Sequence, residues 1–209
     1  MTQPMLTAFT AGLLLITISE LGDKTFFIGM ILAMRYPRRW VLAGVVSALA
    51  AMTILSVAIG QVLSFLPQIY INYAEITLFF LFGTKLLLDA WKMGNHANLE
   101  VLEEAEEAIE AGEKQLKKTP KGWGIFLESF LLTFVAEWGD RTQIATIALA
   151  ASNNVIGVTT GAILGHTICA IIAVLGGKFI AGQISERTIT AIGGVLFYVF
   201  AIVAIVTKL

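Results

Sequence analysis

The stretch Glu20-Leu21-Gly22-Asp23-Lys24-Thr25 lies in the middle of an apolar run, and a related stretch, Glu137-Trp138-Gly139-Asp140-Arg141-Thr142, lies in the middle of another. Each stretch places two carboxylates and one cation among residues that otherwise suit the interior of a bilayer. In a water-soluble protein the same pattern would describe a salt-bridged helix surface. The interpretation of both motifs therefore depends on whether the chain enters a membrane.

The composition indicates that it does. Of 209 residues, 57% are hydrophobic and 14% are charged, against roughly 25% charged residues in soluble domains, and the mean hydropathy is +0.82. A spanning helix needs about 20 mostly apolar residues, and six apolar runs predict six such helices, at 7–34, 41–66, 75–91, 123–150, 155–180 and 188–207. Because an ionisable residue at membrane depth is costly, it is a functional candidate by default.

A shift of the chain by 117 residues superposes the two motifs and aligns 20–60 with 137–177 without a gap. Eleven of these 41 positions are identical. Each half holds three predicted helices, an odd number, so the second half enters the membrane from the opposite face, as in the inverted repeats of secondary transporters. The sequence predicts an all-α integral membrane protein with six transmembrane helices in two inverted three-helix repeats, 1–91 and 123–209.

The segment 92–122 between the repeats is predicted to be a cytoplasmic acidic linker. Seven glutamates precede four lysines in it, an order that complements a helix dipole. Leu99, Leu102, Ile109 and Leu116 fall near heptad spacing, which indicates a solvated helix or a short hairpin. The segment is either a soluble linker or an acidic surface that attracts cations.

The basic residues predict the orientation. Nine of them fall in the loops 1–2, 3–4 and 5–6: Arg35, Arg38, Arg39, Lys92, Lys114, Lys117, Lys118, Lys121 and Arg187. The positive-inside rule places these loops in the cytoplasm and both termini outside it. Lys85 and Asp89 are expected to reach toward the nearby interface, and Glu75 is expected to cap the third helix at the external one.

The motif acids predict a metal site. On a continuous helix Glu20 and Asp23 would share one face, about 4.5 Å apart along the axis, and Glu137 and Asp140 would do the same. Together the four offer up to eight carboxylate oxygens, which suits hard cations such as Ca²⁺ and Mn²⁺. With Lys24 and Arg141 the net charge is −2, which one divalent cation or two protons would neutralise, as in an exchanger.

Further polar residues are candidates for the ion pathway, each with a simpler alternative. Lys24 and Arg141 pair with the carboxylates when the ion is absent, or are only structural pairs. Thr25 and Thr142 add a hydroxyl ligand, or bond a carbonyl four residues back. Gly22 and Gly139 allow close helix approach, or weaken the helix. The remaining candidates are Ser19 and Gln143, polar in only one repeat each, His166 (ligand, proton relay or hydrogen-bonded interhelical residue) and Glu128 (vestibule acid or interfacial residue).

Glu-Leu-Gly-Asp-Lys-Thr-Phe-Phe and Ala-Glu-Trp-Gly-Asp-Arg-Thr-Gln resemble the paired signatures of the Golgi, chloroplast and bacterial Ca²⁺/Mn²⁺:H⁺ exchanger family, the calcium:proton antiporter-two family. The Gly165-His166 region and 185–194 are similar to it too. The resemblance implies a divalent-cation:proton antiporter whose motif acids, here Glu20, Asp23, Glu137 and Asp140, bind the ion. The short chain resembles bacterial or cyanobacterial forms that lower cytosolic Mn²⁺ by export to the periplasm or the thylakoid lumen, from the plasma (inner) membrane or the thylakoid membrane.

The predicted function is therefore export of Mn²⁺, Ca²⁺ or both in exchange for H⁺, with no cofactor, no nucleic-acid partner and either a monomer or a homodimer. The single cysteine, Cys169, excludes an intrachain disulfide and a Cys-rich metal site. Intramembrane aspartyl proteases also use two Asp residues, but the basic residue after each Asp does not suit a shared-proton dyad, so an enzyme is not expected. A non-transporting assembly factor and a cation channel remain as alternatives, and ion flux in liposomes separates them.

Overall fold

The computed structural model describes residues 3–93, 97–115, 121–176 and 185–208, and all regular elements within these ranges are helices. In chain order they are α1 (Gln3–Glu20), α2 (Lys24–Arg35), α3 (Arg38–Leu63), α4 (Gln68–Lys92), α5 (Ala97–Gln115), α6 (Trp123–Ala136), α7 (Arg141–Ser152), α8 (Val155–Ile171), which ends in a π-helical turn (Ile172–Gly176), and α9 (Glu186–Lys208).

Four of these helices are long and apolar enough to cross a membrane: α3, α4, α8 with its π-helical turn, and α9. The pair α1 and α2 makes a fifth candidate span, bent by 65° at the break between them. The apolar helix α6 has 14 residues, too few to span alone at about 1.5 Å per residue. The prediction of an all-α, multi-pass membrane protein is thus confirmed, with four to five candidate spans.

The prediction of continuous helices over 7–34 and 123–150 was wrong. Gly22 and Gly139 have φ angles of +78° and +83°, in the left-handed region that glycine adopts without steric cost. The helix ends before each glycine, and Asp23 and Asp140 have extended backbones at the start of the next helix. The Glu and the Asp of each motif therefore lie on opposite sides of a break and do not share a helical face.

The predicted start of the third span at residue 75 was also wrong, because α4 begins at Gln68. Glu75 is 1% exposed and lies inside α4 rather than capping it. Its carboxylate accepts a hydrogen bond from Lys208 Nζ at 2.6 Å and one from Asn153 Nδ2 at 3.3 Å. The polar residues at the start of α4 thus belong to the helix because α7 and α9 supply partners for them.

Within the predicted linker, α5 packs against α2 and α6. Its glutamates at 103, 104, 106, 107 and 110 are exposed, whereas Ala105 and Ile109 are fully buried in a core cluster that includes Phe26 and Phe27. The expectation of a solvated helix therefore fits one face of α5 and is wrong for the other. Leu116 and the side chain of Leu99 lie outside the described residues.

The longer helices pack in pairs. Helix α1 packs on α8, α6 packs on α3, and α4 packs on α9. At Gly44 of α3 an added Cβ would lie 2.6 Å from the Phe126 carbonyl oxygen of α6, so a glycine is needed for this close approach. A shift of 117 residues takes α1 to α6 and α3 to α8, and the first two pairs therefore correspond to each other.

Candidate metal centre

Three of the four predicted ligands lie together at the two helix breaks. One carboxylate oxygen from each of Glu20, Asp23 and Glu137 lies within 4.8 Å of the others. Oxygens that bind one Ca²⁺ at 2.3–2.6 Å are separated by at most about twice that length, ~5 Å. The spacing therefore suits one hard divalent cation between the carboxylates of both motifs.

Both glutamates are 2% exposed and are held in the same way. The Thr25 hydroxyl donates to Glu20 Oε2 at 3.3 Å, and the Thr142 hydroxyl lies 3.5 Å from Glu137 Oε2, with its one proton shared between this oxygen and Asp140. The other oxygen, Oε1, of each glutamate has no hydrogen-bond partner within the described ranges. Because a buried carboxylate oxygen without a partner is costly, these atoms are suited to receive an ion. Within the described ranges, neither threonine hydroxyl bonds a carbonyl four residues back.

The two aspartates differ. Asp140 caps its own helix, since its Oδ2 accepts from the Thr142 backbone N–H at 3.1 Å and from the Thr142 hydroxyl at 3.0 Å. Asp23 makes no side-chain cap bond and instead pairs with Arg141, whose guanidinium donates to Asp23 Oδ1 at 2.8 Å. Asp23 therefore belongs to the cluster of three carboxylates, whereas the Asp140 carboxylate accepts hydrogen bonds at the start of α7.

The two basic residues of the motifs also take different partners. Arg141 bridges from the second motif to Asp23 of the first, whereas Lys24 lies 3.7 Å from Glu104 on α5. The Lys24–Glu104 pair is exposed, with side chains 38% and 65% accessible, so it contributes little stability. Of the two expected pairs with motif carboxylates, the described structure contains the one made by Arg141.

The remaining candidates lie around the breaks. Gln143 Oε1 accepts from the Gly139 N–H at 2.7 Å, and its amide donates to Met52 Sδ at 3.0 Å, so Gln143 holds the second break. His166 is 6% exposed, and its Nδ1 has no partner among the atoms described. Glu128 is buried in α6 and is 6% exposed.

One acid that the sequence interpretation left at the interface lies close to this centre. Asp89 of α4 lines a small cavity together with Ser19, Asp23 and Arg141. Lys85 and Asp89 were both expected to reach toward the interface; Lys85 is exposed, whereas Asp89 is half-buried. This difference in exposure follows from the packing of α4 beside the first break and is not visible in the sequence.

Comparisons with known proteins agree with the resemblance in the motifs. The sequence model of the family described as "Divalent cation/proton antiporter GDT1" matches residues 8–94 and 125–209. A GDT1-like protein, sll0615, of the cyanobacterium Synechocystis is 74% identical over 205 residues, covering 98% of this chain and all of that protein. No solved structure matches the chain.

Plant proteins are similar over most of the chain. GDT1-like protein 3 of Oryza sativa subsp. indica is 46% identical over 203 residues, covering 93% of this chain and 72% of the rice protein. The chloroplastic PAM71-homolog of Arabidopsis thaliana is 44% identical over 210 residues, covering 93% of this chain and 58% of that protein.

Proposed function

This chain belongs to the GDT1 family of divalent cation/proton antiporters, and from that premise we propose that it exports Mn²⁺, Ca²⁺ or both from the cytoplasm in exchange for H⁺. The ion would bind between Glu20, Asp23 and Glu137, with Asp140 at the edge of the site. The observation that carries the proposal is the approach of three carboxylates from two helix breaks to within 4.8 Å.

The same carboxylates would carry the protons. Three carboxylates and the Arg141 guanidinium leave two net negative charges, which one divalent cation or two protons would balance. Metal and protons therefore compete for one set of oxygens, and the acids would titrate as a coupled group with no single proton carrier. Competition at a shared site is the basis for exchange rather than independent leakage of either ion.

The proposed topology has six spans in two inverted repeats, 1–91 and 123–209. Helices α6 and α7 together would make the fourth span in chain order and bring the number of spans to six, broken at Gly139 as α1 and α2 are broken at Gly22. The matching φ angles of the two glycines and the matching Thr–Glu hydrogen bonds support this assignment. The basic residues favour a cytoplasmic α5 and non-cytoplasmic termini, and the similar cyanobacterial protein supports a plasma (inner) or thylakoid membrane.

The test is purified protein in liposomes that contain a pH-sensitive dye, with a metal gradient and no other ion gradient imposed. We expect Mn²⁺ or Ca²⁺ flux with an opposing proton flux, and loss of both in Glu20→Gln and in Glu137→Gln. Thr53→Val, which removes a buried hydroxyl whose partner within the described ranges is the Leu49 carbonyl, serves as the control with normal flux. Metal flux without proton flux would favour a channel, and no flux in the wild type would favour an assembly factor.

A further inference from the structure

A polar cavity of about 70 Å³ lies beside the metal centre, between the first helix break and the ends of α4 and α9. Its polar lining includes Ser19, Asp23, Asp89, Arg141 and Thr190. Since one water takes up about 30 Å³ in the liquid, the space suits a cation with one or two water molecules. Asp23 belongs both to this cavity and to the three-carboxylate centre.

Ser19 provides an independent sign of a ligand. It is 6% exposed, and its hydroxyl oxygen has no hydrogen-bond partner in the part of the chain that the structure describes. Buried hydroxyls elsewhere bond a carbonyl one turn back, as Thr53 does to Leu49 and Ser56 to Met52, both at 2.8 Å. The Ser19 oxygen lacks this bond although its residue lines the cavity, and turning the hydroxyl into the cavity would let it bind an oxygen-seeking cation.

Asp89 supplies the second carboxylate. Within the described ranges it forms no ion pair with Lys or Arg, although Lys85 lies one turn earlier on the same helix. Asp89 adds one negative charge to the two net negative charges of the neighbouring centre, so the four carboxylates and Arg141 together carry three, which favours a further cation. At the positions 117 residues from Ser19 and Asp89 stand Ala136 and Val206, so the equivalent place in the other half lacks both oxygen ligands.

We propose that this cavity is a second divalent-cation site, with Asp89, Asp23 and the Ser19 hydroxyl as ligands. The inference rests on the proposed function and on its orientation, which puts the end of α4 near Met93 on the cytoplasmic side. The site therefore lies between the cytoplasm and the three-carboxylate centre and is called the access site below. A cation bound there shares Asp23 with the inner centre, and it competes with Arg141 for that carboxylate.

The first test is metal binding by the purified protein, with free Mn²⁺ followed by its electron paramagnetic resonance signal. The wild type is expected to bind two Mn²⁺ ions. Asp89→Asn is expected to bind one, and Ser19→Ala to weaken the second about fivefold. The control Glu106→Gln removes an exposed acid on α5 and is expected to keep both ions. A single Mn²⁺ in the wild type, or two unchanged ions in Asp89→Asn, would overturn the proposal.

The second test is transport from the cytoplasmic face of oriented vesicles. Asp89→Asn is expected to raise the KM for Mn²⁺ about tenfold, equivalent to about 1.4 kcal/mol, and Asp89→Glu to restore most of the affinity. If Asp89 only attracted ions from solution, the effect would vanish at about 0.5 M salt, where the screening length is only a few ångströms; that result would overturn the access site. Absence of wild-type flux would instead count against the proposed function, and the binding titration would still decide whether the second site exists.

Discussion

Asp23 and Asp140 occupy equivalent positions in the two motifs but have different partners. Asp23 lies in the three-carboxylate cluster and pairs with Arg141, while Asp140 caps α7. Because asparagine is as good an N-cap as aspartate, Asp140→Asn keeps the start of α7 and loses only charge. Asp23→Asn removes a charged ligand and leaves Arg141 without its carboxylate partner.

We therefore expect Asp23→Asn to lower the rate of metal flux at least a hundredfold, equivalent to about 2.7 kcal/mol, and Asp140→Asn to lower it less than tenfold. The measurement is Mn²⁺ flux in liposomes at equal protein density. Equal losses in the two variants would mean that Asp140 is a full ligand, as the sequence alone suggested.

The Glu75–Lys208 pair lies at the opposite end of the molecule from the access site, and its side chains are 2% and 17% exposed. Lys208 Nζ also donates to the Ser152 hydroxyl at 3.0 Å, so the pair joins α9 and α4 to the end of α7. Removing one partner of a buried pair leaves a charge uncompensated, which costs about 3–5 kcal/mol.

Lys208→Met is accordingly expected to lower the free energy of unfolding by about 3 kcal/mol, and the double variant Glu75→Gln, Lys208→Met to recover most of that loss. Thermal unfolding in detergent, monitored by circular dichroism, gives the order of the melting temperatures. A single variant that melts with the wild type would show that the pair is dispensable.

At the scale of the helices, α5 carries its charges on one face and a packed apolar contact on the other. Ile109 is fully buried, and replacing a buried isoleucine by alanine costs about 2–4 kcal/mol. Ile109→Ala should therefore lower the melting temperature by several degrees, whereas Glu106→Ala, on the exposed face of α5, should stay within about 0.5 kcal/mol of the wild type. Equal melting temperatures would indicate that α5 is only loosely attached.

The sequence predicted the elements that depend on composition and periodicity. The apolar runs around α3, α8 and α9 located these helices to within a few residues, and the two motifs located the candidate metal centre. The breaks at Gly22 and Gly139 could not be read in the same way, because an apolar run shows no sign of a backbone that leaves the helix. The motif glycines allowed for a break but did not require one.

Two further features depend on partners distant in the chain. The start of α4 was missed because Asn72 looks like a loop residue and Glu75 like a helix cap until the contacts with Asn153 and α9 are known. The cavity that Asp89 shares with Asp23 was not predicted for a similar reason, since it follows from how α4 packs and not from the neighbours of Asp89 in sequence. The local sequence pattern does not show which distant residues will form hydrogen bonds or ion pairs with buried polar groups.

For the molecule as a whole, the two halves have matching helix pairs and differ in their polar side chains. The packing of α1 on α8 corresponds to that of α6 on α3, so each break lies beside a similarly packed pair of helices. Ser19 and Asp89 have no polar counterparts in the other half. The helix packing is therefore nearly symmetric, whereas the proposed access site lies on only one side of the three-carboxylate centre.

In the proposed mechanism, the Asp23–Arg141 pair would also determine how transport responds to voltage. Arg141 is fixed to the chain and cancels one of three carboxylates, so the centre would balance one divalent cation or two protons, and a full exchange cycle would move no net charge. One uncompensated charge would be worth about 2.3 kcal/mol per 100 mV, or roughly fiftyfold in the equilibrium gradient.

We therefore expect an applied potassium diffusion potential of about 100 mV, of either sign, to leave the final Mn²⁺ distribution in liposomes unchanged. Arg141→Gln would add one negative charge to the centre, so a third proton could replace the metal and the distribution would become voltage-dependent. A wild-type distribution that follows the potential would mean that the exchange ratio is not two protons per metal ion, and the sign of the response would tell whether fewer or more protons are exchanged.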